Sequence, residues 1–299
     1  MKKSDAVRGL CIVAGMAALA PFAAQAQISA VASAVPFMDI SGSGTSIGAI
    51  SDDSETVITG AMLTAAGWNG NGLLAGNVSI RVGNNGGVIW GNSATDTFTN
   101  AQNVGYINST NLPGMAAADG ANNGNAGVAP RQFLAVLWDD NAPITGSNTG
   151  IHWQVIGGDL VIQWTNEGHF NTSGGGTVTY QMVARGGVGI DSGNSLLDFV
   201  YQDTFYADQQ YQNDGGSATI GYKNWGVNPL ANDAEYGIGG GTDTLSDPAF
   251  GDASMQPKVG GWLASADGSL THSVSFVPAP GAVALLGIGG LMAGRRRRA

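Results

Sequence analysis

Two alternating runs meet at a pair of glycines, and few architectures accommodate them. Ile151-His152-Trp153-Gln154-Val155-Ile156 leads into Gly157-Gly158, and Asp159-Leu160-Val161-Ile162-Gln163-Trp164 leads out. If the glycines form a two-residue turn, Ile156 faces Asp159, Val155 faces Leu160, Trp153 faces Ile162 and Ile151 faces Trp164. Side chains alternate along a strand, so Ile151, Trp153, Val155, Leu160, Ile162 and Trp164 share one face. His152, Gln154, Val161 and Gln163 take the other. A two-stranded ribbon is marginal alone in water, so the apolar face requires more strands or a covering layer.

The rest of the chain supplies strands. Residues 133–138, Phe-Leu-Ala-Val-Leu-Trp, are apolar on both faces, as expected of a central strand covered on both sides. They end at Asp139-Asp140-Asn141. Residues 77–82 alternate, Gly83-Asn84-Asn85-Gly86-Gly87 is a turn, and Val88-Ile89-Trp90 is the returning strand. Residues 56–59, 177–183, 197–201, 217–222 and 270–276 read as further strands. Residues 91–130 have little periodicity and read as a long surface loop. The 48 glycines, with many Asn, Ser and Thr, suppress helix and favour turns. No internal repeat of fixed period points to a propeller or solenoid. The expectation is an all-β chain forming a single β-sandwich, jelly-roll-like, over residues 28–276.

Both ends carry transport signals. Lys2, Lys3 and Arg8 precede an apolar run over 9–24 that finishes in Ala24-Gln25-Ala26. This is the pattern of a secretory signal peptide, residues 1–26, cut after Ala26. The run contains Pro21 and is shorter than a spanning helix. The one cysteine, Cys11, lies inside it, so the exported part carries no thiol. At the other end, residues 277–299 comprise the spacer Val277-Pro278-Ala279-Pro280, an uncharged run over 281–294, and Arg295-Arg296-Arg297-Arg298. At about 1.5 Å per residue the run is a short span, oriented by arginines on the cytoplasmic side.

Removing the terminal segments leaves five basic residues against 21 acidic ones, a net charge of −16 for the body. That excludes nucleic acid as a partner, because such binding rests on Lys and Arg neutralising phosphates. Acidic groups on expected loops, Asp52, Asp53 and Glu55 together with Asp139 and Asp140, are candidate calcium ligands. Solvated loop carboxylates are the plainer reading. Trp68 and Trp225 lie among Asn and Gly, which makes them candidates for an exposed carbohydrate platform. His152, His169 and His272 fall within neither a Gly-x-Ser-x-Gly elbow nor a His-Glu-x-x-His motif, so no catalytic site is expected.

The spacer, the run Ala282-Val283-Ala284-Leu285-Leu286-Gly287-Ile288-Gly289-Gly290-Leu291-Met292-Ala293-Gly294 and the four arginines resemble the PEP-CTERM sorting tail of exported bacterial proteins. Ala279 stands where that family has Glu. The resemblance implies recognition by an exosortase near Pro278, Ala279 and Pro280, a transient stay in the inner membrane, and delivery to the cell surface or extracellular matrix. A second resemblance rests on Ile40-Ser41-Gly42-Ser43-Gly44-Thr45 before Asp52, on 82–91, on Leu137-Trp138-Asp139-Asp140 and on 216–221. These look like a β-sandwich module of secreted bacterial surface proteins, which is usually accessory. The expected function is a non-catalytic surface or matrix protein. The alternatives are an adhesive module binding extracellular polysaccharide or calcium and, behind it, an extracellular hydrolase.

Overall fold

A computed structural model describes residues 28–47, 51–52, 54–91, 132–144, 149–170, 176–206, 218–224, 234–235 and 273–278. The described chain is all-β apart from one short helix. In order it forms β1 (Ile28–Ser33), β2 (Thr45–Ser46), β3 (Glu55–Ile58), α1 (Gly60–Ala65), β4 (Ile80–Gly83), β5 (Gly87–Trp90), β6 (Gln132–Trp138) and β7 (Asn141–Pro143). Then come β8 (Gly150–Ile156), β9 (Asp159–His169), β10 (Val178–Ala184), β11 (Leu197–Asp203), β12 (Thr219–Asn224), β13 (Ala234–Glu235) and β14 (Ser273–Pro278).

The strands make two antiparallel sheets. The larger runs β1-β14-β11-β10-β9-β8-β2, with β7 pairing the far end of β9; the smaller runs β13-β12-β6-β5-β4-β3. β8 and β9 pair in the register the sequence dictates, Ile156 with Asp159 through Ile151 with Trp164. Gly157 and Gly158 close the turn at φ +62° and +96°, which a two-residue turn of this type requires and which glycine adopts without strain. β6 is the interior strand the sequence suggests, with β5 on one side and β12 on the other, and it is buried from 133 to 138.

One core joins the sheets. Trp164, Ile162, Tyr180, Phe199 and Phe276 of the larger sheet pack in the same buried cluster as Val82, Trp90, Leu134, Val136 and Tyr222 of the smaller. Polar tips are satisfied across the gap. Trp164 Nε1 donates to the Gly83 carbonyl at 2.8 Å, and the Tyr201 hydroxyl to the Val136 carbonyl at 2.7 Å. Trp164 and Tyr180 stack with ring centroids 5.1 Å apart.

The opposite face of the larger sheet is also covered. The stretch after β1 lays Val35, Phe37, Met38 and Ile40 over Val161, Val183 and Val200. Two glutamines fasten it. Gln181 accepts from Met38 N at 2.9 Å and donates to the Met38 carbonyl at 2.8 Å. Gln163 accepts from Ile40 N at 2.8 Å and donates to Asp39 Oδ1 at 2.9 Å. Each side-chain amide does for the strap what a neighbouring strand's backbone would do.

α1 corrects the reading of 56–59 as a strand ending at Thr59. Thr59 is the N-cap, its hydroxyl accepting from Met62 N at 3.2 Å. The helix stops at Gly67, φ +96°, with Gly67 N bonded to the Thr64 carbonyl and Trp68 N to the Leu63 carbonyl. That pair of bonds is a Schellman ending, which folds the next apolar residue back over the helix.

Candidate functional site

The Schellman ending places the first sequence candidate. Trp68 is fully buried and packs edge-on against Trp90 at 5.9 Å, so the expectation of an exposed platform there is corrected. Trp225 lies outside the described residues. Glu55 is engaged by the fully buried Arg81, one strand away, and its carboxylate balances that guanidinium. Asp52 is exposed and Asp53 is outside the described residues.

Asp139 and Asp140 are not the solvated loop carboxylates their sequence context suggests. Both are 3% exposed, at the head of a buried polar cluster. Three segments build it. The turn between β4 and β5 inserts Asn84 and Asn85, both fully buried. The end of β6 brings Asp139, Asp140 and Asn141. The end of β9 brings Glu167 and His169, since Asn141 pairs with His169 and Pro143 with Glu167.

The hydrogen bonds are dense. Asn84 Nδ2 donates to the Asn141 carbonyl at 2.5 Å, and Asp139 N to the Asn85 carbonyl at 3.1 Å. Asn141 Nδ2 donates to the Leu137 carbonyl at 3.2 Å, and its Oδ1 accepts from the Tyr206 hydroxyl. His169 contacts the Tyr206 ring edge-on at 5.3 Å. His169 Nε2 lies 3.4 Å from Asp139 Oδ1 and Nδ1 3.0 Å from the Phe170 carbonyl.

Electrostatics decides what this cluster can do. Burial opposes charge on His169. The Asp139 carboxylate and its hydrogen bond, the Phe170 carbonyl and Asp140 outweigh it and lift the imidazole to about 9. Both ring nitrogens face oxygen acceptors, an arrangement that favours the imidazolium form. Glu167 moves the other way in charge. Burial alone pushes its carboxyl up to about 8, and Oε2 is buried without a hydrogen-bond partner. Burial, then the carboxylates of Asp139, Glu167 and Asp140, raise the Tyr206 phenol well above its usual range.

Comparison with known proteins finds no match: no family model, no curated protein and no solved structure. The chemistry must be read from the residues themselves. Among the described residues no group of three or more His, Asp or Glu is placed to hold a metal ion. No described helix is long and apolar enough to cross a membrane.

A second network was invisible in the sequence. Asp198, fully buried, accepts from Arg185 Nε at 2.5 Å, Ser195 Oγ at 2.8 Å and Ser275 Oγ at 2.5 Å. Arg185 also donates to Asp159 at 2.9 Å. One arginine thus joins the start of β9, the end of β10 and the start of β11, and Ser275 adds β14. The serines here are held by a carboxylate, not activated by a histidine. His152, on β8, is half-buried with Nδ1 unpartnered, and His272 lies outside the described residues.

Of the sorting residues, Pro278 is the last residue of β14, paired with Ile28 of β1. Ala279, Pro280 and Arg295 to Arg298 lie outside the described residues.

Proposed function

We propose that this chain is a non-catalytic exported protein of the cell surface or extracellular matrix, released from the inner membrane by cleavage of its C-terminal sorting tail. The body is a β-sandwich of jelly-roll type over 28–276, between a signal peptide (1–26) and the tail (277–299). An exosortase-type enzyme would act at Pro278-Ala279-Pro280, with residues 281–294 in the membrane and Arg295 to Arg298 on the cytoplasmic side.

The observation that carries this reading is the pairing of Ile28 with Pro278. Ile28 follows the expected signal cleavage by one residue, and Pro278 opens the expected cleavage region of the tail. Both cuts would therefore fall at the margin of the folded sheet and remove no strand from it.

Mass spectrometry of the exported protein tests the proposal. The expected product begins at Gln27 and ends between Pro278 and Gly281. A product retaining residues 281–299 overturns the sorting reading and makes the tail a retained anchor.

A further inference from the structure

β14 runs into the expected cleavage region of the tail, and the first residue of that region is engaged by the body. Pro278 is buried as the last residue of β14. It pairs with Ile28, the first residue of β1, which is itself buried. From that pair the two strands stay in register to Ser33 and Ser273. Phe276, two residues before Pro278, is fully buried in the core that joins the sheets. A chain is cut where its backbone is exposed or locally opened, not where it is paired and buried. In the folded body Pro278 is therefore withheld from a cleaving enzyme.

The ladder opens more readily from one end than from the other. At one end Ser33 Oγ and Ser273 Oγ lie 2.7 Å apart, and Ser273 Oγ also accepts from Val35 N at 2.8 Å. At the other end Pro278 has no N–H to donate to the ladder. Fraying therefore starts at Ile28 and Pro278 and releases the cleavage region before it disturbs the rest of the sheet. Ile28 is also the second residue of the expected exported chain. The strand end that holds Pro278 is thus the chain's own N-terminus.

We propose that β1 controls processing of the tail: docking of Ile28 on Pro278 closes the cleavage region, and fraying of that end of the ladder admits the enzyme. Such control rests on the sorting reading and adds to it the state of the body in which the cut is made.

Two variants move the contact in opposite directions. Ser29→Cys with Val277→Cys joins the paired positions beside the terminal pair. Directly paired strand residues suit a disulfide's Cα separation of about 4.4–6.8 Å, and the chain from Gln27 onward has no other thiol. Ile28→Ala removes a buried side chain from the terminal pair and favours the open end. The chain from Gln27 to Ala299 is treated with a proline-specific endopeptidase, and cutting after Pro278 is followed by mass spectrometry. Far-UV circular dichroism confirms that each variant is folded. The oxidised double-cysteine chain should be cut roughly tenfold more slowly than wild type and recover on reduction, and Ile28→Ala roughly tenfold faster, because cutting follows the open population. Loss of the tail in producing cells, followed by pulse labelling, should move in the same directions. Cutting after Pro278 that the disulfide does not slow, or wild-type tail loss that neither variant alters, overturns the proposal. A wild-type tail that is never lost overturns the sorting reading and this control with it.

Discussion

Glu167 holds a carboxyl group in a place that disfavours its ionisation. A free glutamate has its ordinary value at 4.5, and this one is raised to about 8 by burial. Below 4.5 the folded and unfolded chains both carry the proton. As pH rises from 4.5 toward 8 only the unfolded chain gives it up, so stability falls across that window. His169, raised from 6.5 to about 9, acts in the same direction. Its contribution is complete below 6.5 and is lost as pH rises through 9. Melting temperature should therefore decline steadily from about pH 5 to pH 9, an alkaline sensitivity located in one cluster. Glu167→Gln should flatten the lower part of that decline and raise the melting temperature at pH 8, by removing a buried acid without changing its shape. His169→Gln should flatten the upper part but cost about 3 kcal/mol at pH 6, because it leaves Asp139 buried without its cation. Thermal melts of the two variants at four or five pH values separate these effects.

Among the elements, the turn between β4 and β5 and the strap over the larger sheet make the sharpest claims. Gly86 has φ +78°, and a Cβ there would lie 2.2 Å from the Leu137 carbonyl oxygen. Both the conformation and the space exclude a side chain, so Gly86→Ala should destabilise by more than about 1 kcal/mol, measured by denaturant unfolding. The strap depends on two amides. Gln163→Leu with Gln181→Leu should leave the sheet intact but release the strap, seen as faster hydrogen exchange at the Met38 and Ile40 amides. The sequence made the β8–β9 hairpin legible down to its register, because a two-residue turn and period-2 alternation leave one solution. β6 was legible because a run apolar on both faces fits only an interior strand. β1 was not, since Ala and Ser carry no strand signal and its partner is far along the chain. The buried cluster was hidden for the same reason. Asp139 beside a run of apolar residues looks like a strand leaving the core, and only the non-local arrival of His169 and Asn85 keeps it inside. Trp68 carried a usable signal: Thr59 and Gly67 bracket a short helix whose ending returns the next apolar residue to the core.

At the scale of the molecule, β14 lies between β1 and β11, inside the larger sheet. Truncation before Ser273 should therefore abolish cooperative unfolding, since it removes Val274 and Phe276 from the core and Ser275 from Asp198. Truncation after Pro278 should leave the melting transition of the body unchanged. The two truncations differ by a single strand, and calorimetry distinguishes them directly.

The position of β14 also fixes an order of events in time. Ser33 and Ser273 are hydrogen-bonded across a separation of 240 residues. The larger sheet cannot close while the intervening chain is still being made. Pairing between such distant segments is slow, because the entropy of closing the intervening loop is lost before the contact compensates it. β14 therefore docks late, in the gap between β1 and β11.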